Sequence, residues 1–130
     1  MRMCANVPAQ HAIQTALGGY QSVEELIRPG GRFYEQSMLA DRLLNEIPGV
    51  SNVTPKGALY CFPRLDPAVY AVEDDEELVL DLLRSKKILV THGTGFNWPE
   101  PDHFRLVTLP EASVLEEAIA GIADFLATRR

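Results

Sequence analysis

The residues best suited to chemistry in this sequence lie between Thr91 and Pro110. The run Thr91-His92-Gly93-Thr94-Gly95-Phe96-Asn97-Trp98-Pro99 precedes Asp102-His103-Phe104-Arg105-Leu106-Val107-Thr108-Leu109-Pro110. The first run reads as an aromatic, glycine-containing loop, and the second as a short apolar strand with one arginine near its start. Strand alternation sends Arg105 and Val107 to one face and Phe104, Leu106 and Thr108 to the other. A guanidinium fixed on a strand presents five donors in a rigid fork, which suits two-sided capture of a carboxylate. In that reading Phe96 and Asn97 close over a small substrate and exclude water, which strengthens the arginine's grip. Two plainer readings stand beside it: a solvated edge-strand arginine, or an arginine paired with Asp102 or Glu100. For the loop, the plain reading is a surface turn with Trp98 stapled onto Pro99 and Pro101.

Other chemistries find little support. His11, His92 and His103 have no ligand spacing and no HExxH-type pattern, so no metal site is expected. No G-x-S-x-G nucleophile turn occurs. Gly93-Thr94-Gly95 is too short for a dinucleotide fingerprint, and its glycines read as residues that let the loop turn sharply. The only lysines are Lys56, in a turn, and Lys86-Lys87, closing a charged helix. A Schiff-base amine must be desolvated enough to lose its proton, and none of these positions offers that. We therefore expect no catalytic and no cofactor-binding residue within the chain.

The elements that must position Arg105 follow from period and punctuation. Asn6 caps a helix from about Pro8 to Leu17, stopped by Gly18-Gly19. Ser22 opens a second short helix, ended by Pro29-Gly30-Gly31. A long helix then runs to about Ile47 with Ala40, Leu43, Leu44 and Ile47 as a buried stripe. Two strands, roughly residues 51–54 and 58–62, are broken by Pro55-Lys56-Gly57. On the second, Tyr60 and Phe62 alternate with Leu59 and Cys61, and the aromatic pair is read as core. Residues 64–71 are expected to be loop. Asp74-Asp75-Glu76-Glu77 sits at the positive end of a helix that runs to about Ser85. Strands are predicted at 88–91 and 104–109, and a final helix buries Leu115, Ala118, Ile119, Ile122 and Leu126. The order predicts an α+β fold, with helices on one face of a small, mostly antiparallel sheet.

Bulk properties narrow the function classes. A chain of 130 residues holds one domain with a modest core. Its net charge of −6 and lack of a basic aromatic stripe argue against a nucleic-acid surface. Cys4 and Cys61 read as two free thiols in a reducing compartment. No segment has the length of a membrane span or the pattern of a signal peptide, which implies a cytoplasmic protein.

Four stretches give the chain a family resemblance. They are Met3-Cys4-Ala5-Asn6-Val7-Pro8-Ala9-Gln10, Pro29-Gly30-Gly31-Arg32-Phe33-Tyr34-Glu35-Gln36, Lys56-Gly57-Ala58-Leu59-Tyr60-Cys61-Phe62-Pro63, and Gly93 to Pro110. In this order they resemble the C-terminal part of a class I/II aminotransferase of fold type I, dependent on pyridoxal 5'-phosphate and nearest the alanine aminotransferase branch. The resemblance implies that Arg105 grips the substrate α-carboxylate. It implies small amino-acid and 2-oxo acid substrates and a homodimer, with no nucleic-acid or membrane partner. It also implies that residues 1–30 are a remnant of the large domain and interdomain helical segment, and that residues 31–130 are the small C-terminal domain. The family's Schiff-base lysine, pyridine-nitrogen aspartate and phosphate loop fall outside this stretch. The chain is thus expected to be a fragment, inactive alone, of an alanine/2-oxo acid transaminase. The alternative is a stand-alone, non-catalytic ligand-binding or interaction module with the same fold. The Met3–Asn6 stretch resembles the family segment that approaches a neighbouring subunit's site.

Overall fold

The computed structural model describes Cys4 and residues 6–130. Met3 and Ala5, within the stretch expected to approach a neighbouring subunit, lie outside the described residues.

Helix formation follows the sequence's own punctuation. Helix α1 spans Val7–Gly18, with Asn6 Oδ1 accepting from the Ala9 N–H. Helix α2, Val23–Ile27, is a short turn of helix, and neither α1 nor α2 contributes a buried residue. Helix α3, Arg32–Asn45, buries Ala40 and Leu44 completely, and Ile47 just beyond it joins them in the core. Helix α4, Asp75–Lys86, begins with Asp74 capping the Glu77 N–H at 3.0 Å. Its buried residues Leu78, Val79 and Leu82 face the same core. Helix α5, Ala112–Ala127, buries Leu115, Ile119, Ile122, Phe125 and Leu126. Ala118, expected on that face, is only half-buried, and Phe125 takes the place in its stead.

All strand pairs among the described residues are antiparallel. Strand β1, Val50–Ser51, pairs with β3, Arg64–Leu65. Strand β5, Phe104–Val107, lies at the centre of a three-stranded sheet between β2, Tyr60–Cys61, and β4, Thr91–His92. The two small sheets meet at an Arg64–His103 bridge. The expected α+β class holds, although the single sheet is two.

Three local expectations are corrected. Residues 64–71 are not all loop: Arg64 and Leu65 form β3, because Leu65 fits the core opposite Val50. A two-residue strand is too short to announce itself by period. The strand expected at 88–91 is reduced to Thr91–His92, the two residues that find partners on β5. On β2 it is Cys61 that is buried, while Tyr60 stands 45% exposed and Phe62 half-buried. Alternation separates the two faces, but only the helices packed beneath decide which is inside.

Candidate functional site

Strand β5 positions the site. Phe104 and Leu106 point into the core, and Thr108 just beyond the strand is fully buried on the same side. Arg105 and Val107 alternate to the other face, as expected. Register places Thr91 opposite Arg105 and Tyr60 opposite Val107, so these four residues share one face. Tyr60 is a diagonal neighbour of Arg105, within reach of a long side chain. Its ring centroid lies 4.7 Å from Arg105 Cζ, and the Phe96 ring lies 4.3 Å from the same atom. Both contacts fall within cation–π range.

The guanidinium makes no hydrogen bond or ion pair among the described residues, and its Nε is buried without a partner. The pairing of Arg105 with Asp102 or Glu100 is therefore not what the structure contains. Asp102 is committed elsewhere. Its Oδ2 accepts from Arg64 Nε at 2.7 Å, and its Oδ1 accepts from Trp98 Nε1 at 3.1 Å and meets His103 Nδ1 at 2.6 Å. A carboxylate offers only acceptors, so the proton between them sits on His103 Nδ1. Burial pushes the Asp102 carboxyl pKa up, but hydrogen bonds from Arg64, His103 and Trp98 outweigh it and hold the group below the ordinary carboxylate value.

The loop itself, residues 93–103, is tied at both ends. The Gly93 N–H donates to the His103 carbonyl at 2.9 Å. Asp75, buried at the start of α4, accepts from the Thr94 N–H at 2.9 Å and the Thr94 hydroxyl at 2.6 Å. A turn of 3-10 helix, Thr94–Phe96, follows and ends at Asn97, which adopts φ 59. Asparagine tolerates this left-handed conformation better than most residues. The glycines do not serve a left-handed turn: a Cβ on Gly93 would lie 2.7 Å from the His103 carbonyl oxygen, and one on Gly95 2.7 Å from His92 Nε2. Close approach is their reason.

Around the loop an aromatic cluster forms. Phe62 stacks on His103 at 4.8 Å, meets Trp98 edge-on at 5.6 Å, and contacts Phe96 at 6.4 Å. Trp98 thus packs on Phe62 and His103 and hydrogen-bonds Asp102. Of the three expected site residues, the structure brings Phe96 onto Arg105, whereas the Asn97 side chain makes no hydrogen bond among the described residues. Sequence reasoning missed Tyr60, Phe62, Arg64, Asp75 and Asp102 as parts of this arrangement. The signal available was the adjacency of Phe62 and Arg64 to a strand. Their contacts, however, cross about 40 residues of chain, which no local pattern spans.

Such a site can hold an anion against a half-buried, ring-flanked guanidinium whose Nε has no partner. It does not fit pyridoxal 5'-phosphate: Lys56, Lys86 and Lys87 are all exposed, so none is the buried amine the cofactor would require. Among the described residues no group of three His, Cys, Asp or Glu side chains could hold a metal ion, and no helix is long and apolar enough to cross a membrane.

Comparison with known proteins adds a family. Over its whole length the chain is 66% identical to an alanine aminotransferase of Mycobacterium bovis, of which it spans 30%. Over 126 residues it is 59% identical to the glutamate-pyruvate aminotransferase AlaA of Escherichia coli K12, spanning 31% of that protein. The crystal structure of an E. coli aminotransferase matches 95% of the chain with TM-score 0.86 and 58% identity, and the chain covers 31% of it. An alanine aminotransferase from Pyrococcus furiosus matches 98% with TM-score 0.76 and 36% identity, again with 31% of that chain covered. The matched portion of these proteins is their C-terminal part. With the family model for aminotransferase class I and II matching residues 1–122, the chain belongs to the class I and II aminotransferases.

Proposed function

We propose that this chain is the substrate-recognition portion of a transaminase that moves an amino group between alanine, or a similarly small amino acid, and a 2-oxo acid. Arg105 binds the α-carboxylate of either substrate through two charge-assisted hydrogen bonds. Holding the carboxylate fixes the α-carbon relative to the reacting group and turns an encounter into an oriented one. The observation that carries this reading is the free guanidinium: Arg105 is ring-flanked, has a buried and unpartnered Nε, and has no carboxylate partner among the described residues. An arginine kept from neighbouring acids is available to an acid that arrives. The identity to alanine and glutamate-pyruvate aminotransferases supports the substrate class.

Phe96 covers the guanidinium in this reading, and Asn97 reaches the substrate from the same loop. Residues 1–30 belong with a large domain and residues 31–130 form the small one, a division supported by the absence of buried residues in α1 and α2. Pyridoxal 5'-phosphate and its lysine are supplied from outside this stretch, the working enzyme is a cytoplasmic homodimer, and the chain alone does not transaminate.

The test is Arg105→Ala in the full-length protein that carries this chain. Hydrogen bonds to charged groups are worth about 1.5–3 kcal/mol each. With ~1.4 kcal/mol equal to tenfold, kcat/KM should fall about a hundredfold or more for amino acid and oxo acid alike. Arg105→Lys should recover only part, since a point charge lacks the fork. Near-normal kcat/KM in a folded Arg105→Ala protein would make the arginine structural.

A further inference from the structure

We infer that Asp102 is a positioning residue for Arg105. Its carboxylate anchors the 93–103 loop so that the Phe96 ring is held against the guanidinium before any substrate arrives. The inference rests on the reading of Arg105 as the carboxylate-binding group.

The chain of contacts is continuous. Asp102 is 8% exposed and takes Arg64 on one oxygen and Trp98 and His103 on the other. Trp98 and His103 pack against each other and against Phe62. Phe62 meets Phe96 edge-on, with rings at 82°, and Phe96 lies over Arg105 Cζ. Asp75 fixes the other end of the loop through Thr94, so Phe96 is held between two buried carboxylates. Phe96 itself is 45% exposed, and core packing alone would not hold its ring in place.

Two consequences follow for binding. Arginine is rotamer-rich, and ordering it at the moment of binding weakens affinity; a guanidinium already held by Tyr60 and Phe96 avoids that loss. Arg64 also occupies the carboxylate nearest to Arg105 in sequence, so Asp102 does not compete with the substrate for the guanidinium. Specific ion pairing of one arginine thereby keeps a second one free.

The experiment uses the full-length, cofactor-loaded protein carrying Asp102→Asn, Phe96→Leu, Phe96→Tyr or Arg105→Ala. Equilibrium binding of propionate, a carboxylate with no amino group, is measured against propionamide, its uncharged counterpart. KM and kcat for alanine are measured in parallel. Ordering one such side chain corresponds to about a three- to tenfold change. Asp102→Asn should weaken propionate and raise KM by that factor, leaving propionamide binding unchanged and kcat within about twofold. Phe96→Leu should do the same, and Phe96→Tyr, which keeps the ring, should restore wild-type behaviour. Should Asp102→Asn fail to fold, Trp98→Phe removes a single donor to the same carboxylate and should shift propionate in the same direction. Unchanged propionate affinity in a folded Asp102→Asn protein, or in Trp98→Phe if that is the one that folds, overturns the inference; so does a loss confined to kcat or thermal stability. Intact propionate binding in Arg105→Ala would instead sink the reading of Arg105 itself, a separate outcome.

Discussion

Helices α1 and α5 are built from similar material and meet opposite fates. Both are rich in alanine and aliphatic residues, and α1 even has the better N-cap. Yet Ile13 and Leu17 of α1 are 52% and 74% exposed, whereas Ile119 and Ile122 of α5 are 2% and 1% exposed. Local signals decide that each is a helix. Burial depends on what else the chain supplies: α5 lies against α3 and α4, while the described residues offer α1 no such surface. Helix propensity and capping are worth a few tenths to about one kcal/mol per position, and packed apolar faces several times that. Both regions are helices by local signals, and only the second is buried by its neighbours.

The sharpest way to break this comparison is to truncate one aliphatic side chain in each region. Ile122→Ala should destabilise the chain by about 2–5 kcal/mol, through lost burial and the cavity left between α4, α5 and β5. Ile13→Ala should stay within about 0.5 kcal/mol. Urea titrations followed by circular dichroism measure both, and comparable losses would mean α1 is packed after all.

The two thiols, Cys4 just before α1 and Cys61 in the core on β2, sharpen the contrast between exposed and buried parts of the chain. Burial, with Asp41 nearby, pushes the Cys61 thiol up to about 11, while Cys4 is exposed. Against an ordinary thiol near 9, that is about a hundredfold smaller thiolate fraction, since each pH unit is tenfold. Iodoacetamide at pH 8 should therefore modify Cys4 first, with Cys61 at least about a hundredfold slower until urea is added. Equal rates in the native chain would refute the buried placement of Cys61.

The smallest expected effect asks whether long-range polar contacts are also confined to the body. Asp102 has its folded-state pKa depressed below the ordinary 3.8. Its contribution is therefore fully present above the unfolded value and is lost as pH falls through the folded one. Asp102→Asn should cost about 1–2 kcal/mol at neutral pH, and that deficit should shrink as pH falls below the ordinary carboxylate value. Parallel stability curves for the two proteins down to pH 2 would show that the carboxylate's charge does not matter.

Much of this is legible in the sequence. Asn6 and the acidic run opening at Asp74 mark helix starts because caps act over three or four residues, and the Ala40–Leu44–Ile47 stripe follows from the helical repeat. The alternation that turns Arg105 away from Phe104 and Leu106 is equally local. The strands at 64–65 and 91–92 are too short to carry a period, and the inward turn of Cys61 rather than Tyr60 depends on helices elsewhere in the chain.

What the sequence alone determined is thus the set of helices, whose caps and repeats act within one or two turns, the α+β class that follows from their order, and the face on which Arg105 lies. Its choice as the candidate arginine came from the family resemblance. The tertiary structure decided whether that arginine is free. Arg64 and Asp102 lie 38 residues apart, and their ion pair leaves Arg105 unmatched on the face it shares with Tyr60. Charge pairing is a matter of distance in space, and only the antiparallel register brings those side chains within reach of one another.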